Sequence, residues 1–199
     1  MLPPLGKYRF EIHRSGLVTA IEEATFGAHS LTIVRSATEG FTQHKVSATL
    51  DEEGRVSAIS VNYASHMFKR DASYRADNEV FRGSVSTVAG RNEIVIKSGR
   101  FGEVEVAGVV AFRMLILAHV REREQPRWTG RVAVIDLNSL TAASLKQTCR
   151  LGRAKNLWIY EARMGEAEEI EIDDAGRILA CRSQDTGGSR LVSFEADEA

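Results

Sequence analysis

Val104-Glu105-Val106-Ala107-Gly108-Val109-Val110-Ala111-Phe112-Arg113-Met114-Leu115-Ile116-Leu117-Ala118-His119-Val120 is the most apolar run in the chain, and its reading decides the fold. It cannot cross a bilayer, because Glu105, Arg113 and His119 interrupt it and its uncharged pieces fall short of the roughly 20 apolar residues a span needs. It divides instead at Gly108. Glu103 to Val106 alternate as a closing strand, and from Val109 to about Arg123 no period of two survives. There Phe112, Leu115, Ile116 and His119 line one helical stripe while Arg113, Leu117 and Val120 lie on its flank, so the helix is apolar nearly all round and must be buried. Arg121-Glu122-Arg123-Glu124-Gln125-Pro126 ends it with a charged turn and a breaker.

Outward from this segment the pattern is of strands. Tyr8 to His13 alternate, Arg14-Ser15-Gly16 turn, and Leu17 to Phe26 return as an opening hairpin. Leu31 to Arg35 follow, then Phe41 to Leu50 and Arg55 to Tyr63, joined by Asp51-Glu52-Glu53-Gly54, in which Asp caps the turn and Gly accepts the left-handed conformation. Two registers are open for this hairpin. With Leu50 opposite Arg55, Tyr63 shares a face with His44; with Gly54 as a bulge and Leu50 opposite Val56, Tyr63 moves to the other face. Phe68 to Arg75, Glu79 to Ala89 and Arg91 to Lys97 continue the style, with a turn at Asp77-Asn78. Beyond the helix, Arg131 to Leu137 form a strand, Ser139 to Thr148 are expected as a short helix or irregular crossing, and strands follow near 156–164, 166–172, 177–182 and 190–194. Asp173-Asp174-Ala175-Gly176-Arg177 repeats the D-x-x-G-R pattern of residues 51–55.

The expectation is one mainly β domain over residues 1–199, a curled antiparallel sheet forming a barrel or half-barrel of about a dozen strands, with one principal buried helix near 109–123. A meander this long curls under its own twist, and the helix fills the concave side, leaving room for a ligand cavity. In order and pattern, with Val61-Asn62-Tyr63 and Phe68-Lys69-Arg70 between two long hairpins, the chain resembles half-barrel β carriers related to bacterial lipoprotein chaperones and to proteins classed as glycolipid-binding. That resemblance implies an open apolar groove for an acyl chain.

Composition narrows the function classes. Of 199 residues 43% are hydrophobic and 27% charged, with 26 basic against 27 acidic residues and a net charge of -1. No global field attracts nucleic acid or an anionic membrane. The start has neither the basic nor the long apolar region of a signal peptide, which reads as cytoplasmic. Cys149 and Cys181 have no CxxC spacing and read as reduced, partly buried thiols. The five histidines lack HExxH or HxH spacing, so no metal is expected; no P-loop, GxGxxG unit or GxSxG elbow is present, and no cofactor is called for.

Arg113 is the most informative residue, because a guanidinium inside an apolar helix must be paired. It either grips the anionic end of a ligand or makes a structural salt bridge to a neighbouring strand. His44 and His119 are candidates for the same cavity, His44 as a general base, and Tyr63, Tyr74, Trp158 and Tyr160 can supply polar tips to an apolar wall. Three readings follow: a binding protein for a small apolar or amphipathic molecule; a cofactor-independent lyase, isomerase or hydrolase using the same cavity; and a non-catalytic interaction module. A homodimer is compatible with any of them.

Overall fold

Each D-x-x-G-R turn builds the same hairpin. Asp51 Oδ1 accepts the backbone N–H groups of Glu53 and Arg55 at 3.0 and 2.8 Å, and Gly54 takes φ of 76°. Asp173 Oδ1 accepts the N–H of Arg177 at 2.9 Å, and Gly176 takes φ of 88°. Both turns are followed by one extra residue in the returning strand. Leu50 pairs with Val56 and Thr49 with Ala58; Ile172 pairs with Ile178 and Glu171 with Ala180. Neither expected register holds unmodified for the first of these hairpins. Leu50 does oppose Val56, but the bulge at Ser57 restores the phase, so His44 faces Tyr63 with ring centroids 4.9 Å apart.

In a computed structural model describing residues 2–77, 80–87, 90–97, 103–163, 166–183 and 187–197, such hairpins propagate into one sheet of fifteen strands. The first eight are β1 (Gly6–Arg14), β2 (Leu17–Gly27), β3 (Ser30–Ala37), β4 (Thr42–Leu50), β5 (Val56–Ser65), β6 (Lys69–Asp77), β7 (Val80–Thr87) and β8 (Gly90–Lys97). After β9 (Val104–Val106) and the helix α1 (Val110–Glu122) come β10 (Arg127–Ile135), β11 (Ala142–Leu151), β12 (Leu157–Arg163), β13 (Glu166–Ile172), β14 (Ile178–Ser183) and β15 (Gly187–Ala196). The first and last strands pair with each other, so the order runs β8 to β1, then β15 down to β9. The sheet is curled but not closed into a barrel. At its open side β8 comes alongside β11, with no ladder between them among the described residues. Among the described residues no helix is long and apolar enough to cross a membrane.

Three expectations change. Among the described residues the sheet has fifteen strands, where about a dozen are expected. The pair β9 and β10 is parallel, because α1 carries the chain back between them and only a crossover can do that. Residues 139–148 form a turn and then strand β11, not a helix or an irregular crossing. Asp136 Oδ1 accepts the N–H groups of Asn138 and Ser139 at 3.0 and 2.8 Å, and Leu140 takes φ of 58°, so a local side-chain turn outcompetes a helical one. The turn expected at Asp77-Asn78 lies partly, and residues 98–102 wholly, outside the described residues.

The boundary at Gly108 stands, with φ of 76°. Ten of the thirteen helix residues are buried, against an inner sheet face that includes Phe10, Phe26, Leu31, Val61 and Ile170. Each fully buried large side chain of this kind stabilises the fold by about 1.5–3 kcal/mol, which is what keeps so long a sheet wrapped on one helix. Cys149 and Cys181 are buried and free.

Candidate functional site

Arg113 is the fourth residue of α1 and is 7% exposed. Its Nη1 lies 2.8 Å from Glu168 Oε2 on β13 and its Nη2 3.7 Å from Glu105 Oε1 on β9, while the guanidinium carbon stands 5.6 Å from the Tyr160 ring centroid. Glu105 Oε2 also accepts Gln147 Nε2 at 2.5 Å, and the Tyr160 hydroxyl lies between that oxygen, at 3.1 Å, and Gln147 Oε1. Burial pulls the guanidinium pKa down, but Glu168 and Glu105 outweigh it and hold Arg113 above its ordinary value. Burial, then Glu105, pushes the Tyr160 phenol well above its usual range. Both groups keep their protons across the physiological range, so neither is placed to exchange one. Trp158, two residues from Tyr160 along β12, is buried, and among the described residues its indole N–H meets no acceptor.

Nothing in the first turn of α1 caps it: Val109 is the N-cap residue and no acidic side chain follows. Glu22 from β2 takes that role, its Oε1 accepting the Ala111 N–H at 3.1 Å. Arg35 from β3 donates to the Gly108 carbonyl at 2.7 Å and lies 4.0 Å from Glu22 Oε2. A cleft of about 200 Å³ opens here between Arg35, Arg113, Glu168, Cys181 and Ser189. Burial raises the Cys181 thiol to about 11 and the Cys149 thiol to about 12, so both are poor nucleophiles at neutral pH.

His44 and Tyr74 do a different task, pinning the loop between β10 and β11 onto β4 and β6. His44 Nε2 is 3.1 Å from the Leu137 carbonyl, which can only accept, so this nitrogen carries the proton. Tyr74 donates to the Leu140 carbonyl at 2.6 Å, and Arg70 Nη1 to that of Asn138 at 3.2 Å. Tyr63 fills the space beside this clamp, packed between His44 and Phe68. His119 stands apart: its Nδ1 donates to Glu103 Oε2 at 3.1 Å and ties the end of α1 to the segment before β9. The seven residues singled out by sequence therefore gather around two separate places, Arg113 with Tyr160 and Trp158, and His44 with Tyr63 and Tyr74, with His119 at a third.

A pH effect follows from His44. Burial first, then nearby Arg35, lowers its pKa below 6.5, while the Leu137 carbonyl opposes the shift. As pH falls through 6.5 the unfolded chain takes up a proton that the fold resists, so stability decreases toward acid. His44→Gln keeps an N–H donor for Leu137 and should flatten this loss. Urea unfolding at pH 7.5 and 5.5 checks it: equal acid sensitivity in parent and variant would show that His44 is not its source.

The feature that sequence inspection missed lies on the outward face of β3 to β8, a groove of about 910 Å³. Register aligns Thr32, Ser47, Ser60, Ser73 and Ser84 into one row of hydroxyls across five strands, spaced by the strand separation of about 4.8 Å. The next row reads Ser30, Thr49, Ala58, Arg75, Arg82 and Val95. Arg91 reaches back to donate from Nε to Ser84 Oγ at 2.8 Å. The small polar residues are visible in the sequence, but their alignment depends on the bulge at Ser57, which shifts every pairing between β4 and β5.

No family model and no curated protein matches the chain. Among solved structures, the crystal structure of a DUF1089 family protein from Pseudomonas aeruginosa is similar in fold, with a TM-score of 0.59 and 14% identity, over 84% of this chain and 90% of that one. The likeness is one of mainly β architecture.

Proposed function

We propose that the protein binds a small amphipathic molecule along the outward groove of β3 to β8. The observation that carries this reading is the groove itself: about 910 Å³, within the range of small-molecule sites, with a hydroxyl row along one side and apolar surface from Ala58 and Val95. Hydroxyls at strand spacing suit a ligand with repeated polar groups, and Val95, 61% exposed, offers surface for an apolar portion. The sequence-based expectation put the cavity on the concave side, between sheet and helix, where core side chains pack, and the groove proposed here lies on the opposite face. The catalytic reading has less behind it, since the phenol and thiols near Arg113 are held protonated and its guanidinium is already paired.

The test is native mass spectrometry of freshly purified protein, followed by titration with decyl maltoside below its micellar concentration. Binding is expected, and Ser60→Trp, which places an indole in the middle of the hydroxyl row, should abolish it with little change in thermal stability. Undiminished uptake by that variant would refute the groove as the site.

A further inference from the structure

The groove carries an unusual charge arrangement. Arg75 on β6 and Arg82 on β7 are direct cross-strand partners on the exposed face. Like charges so placed repel one another and destabilise a sheet. Among the described residues no carboxylate forms an ion pair with either. Arg91 adds a third guanidinium, oriented by its bond to Ser84, and the acid lining the same groove is Glu93, opposite Ser84. Three cations against one anion leave the groove lining net positive. Ser73 and Ser84 stand one row from the arginine pair and also face each other across the strands.

The geometry points to an oxyanion site: Arg75 and Arg82, with Arg91 and the Ser73 and Ser84 hydroxyls, seat a phosphate-type group at the β6–β8 end of the groove. Guanidinium forks match tetrahedral oxyanions bidentately, hydroxyls fill the remaining acceptor positions, and an anion between two opposed arginines turns their repulsion into attraction. This assignment rests on the groove being a ligand site and names the chemistry of the ligand's polar end. The anion is either the headgroup of an amphiphile or a free phosphate.

Calorimetric titrations with monodecyl phosphate, decyl maltoside and inorganic phosphate separate the cases, using the parent protein and the Arg75→Gln/Arg82→Gln variant. Both positions are exposed, and removing the like-charge pair should leave the melting temperature unchanged or slightly raised. Monodecyl phosphate should bind about tenfold or more tightly than decyl maltoside, as expected when even one charge-assisted contact is gained. The variant should erase that preference, and added salt should weaken it. Equal binding of the two amphiphiles, unaffected by the variant, would overturn the anion site while leaving the groove in place. Binding of inorganic phosphate alone, sensitive to the variant, would support the anion site with a free anion as its source and overturn the amphiphile reading. Failure of all three probes to bind would overturn both.

Discussion

Arg113→Met should lower the stability of the fold by about 3–5 kcal/mol, the usual result of removing one partner from a buried ion pair. The methionine fits the apolar helix, so the loss arises from what remains: Glu105, 1% exposed, and Glu168 lose their shared cation inside the sheet. With total stabilities of about 5–15 kcal/mol, such a loss is a large fraction of the whole. Adding Glu105→Gln and Glu168→Gln to Arg113→Met should recover a large part of the loss, because no charge is then left buried. Equilibrium urea unfolding of the two variants measures both numbers. The cleft at Arg113 and the outward groove have no lining residue in common, so uptake of decyl maltoside by the folded variant should equal that of the parent. A variant of unchanged stability that no longer takes up the amphiphile would return Arg113 to the role of ligand anchor.

Gly83→Val should be nearly as damaging, by about 3 kcal/mol or more, from overpacking together with a lost buried hydrogen bond. A Cβ at Gly83 would meet the Tyr74 ring at 2.3 Å and the Ser73 carbonyl oxygen at 2.2 Å. The ring lies over the glycine, stacked on Phe81 with centroids 5.1 Å apart, and its hydroxyl holds the Leu140 carbonyl. Displacing it therefore disturbs both the inner face of β7 and the clamp between β6 and the loop after β10. Tyr74→Phe, which keeps the ring and drops only the hydroxyl, should cost about 1 kcal/mol. Thermal unfolding of the two variants separates packing from hydrogen bonding, and a Gly83→Val protein as stable as Tyr74→Phe would contradict this account.

Much of the fold was legible because it depends on local chemistry. The split at Gly108, the buried helix beyond it and the two D-x-x-G-R hairpins follow from backbone preference and apolar period alone. The β11 segment is not legible in the sequence, because it follows a turn built on the Asp136 side chain and the left-handed backbone of Leu140. The site was less legible. Arg113 is recognisable in the sequence as a buried charge needing a partner, but Glu105 and Glu168 lie 8 positions before it and 55 after it in the chain, and nothing local links them.

By itself the sequence determined that this chain forms a long antiparallel meander wrapped on one apolar helix, since alternation, turn residues and a helix without a polar face allow little else. Only the tertiary structure decided which side chains meet. One extra residue at Ser57 restores the phase of a hairpin and so brings hydroxyls from five strands into one row, and the pairing of β1 with β15 joins the two halves into one sheet. Register is a property of two strands at once, and a shift of one residue moves each side chain to the opposite face. For that reason the groove and its arginines become visible only when the strands are side by side.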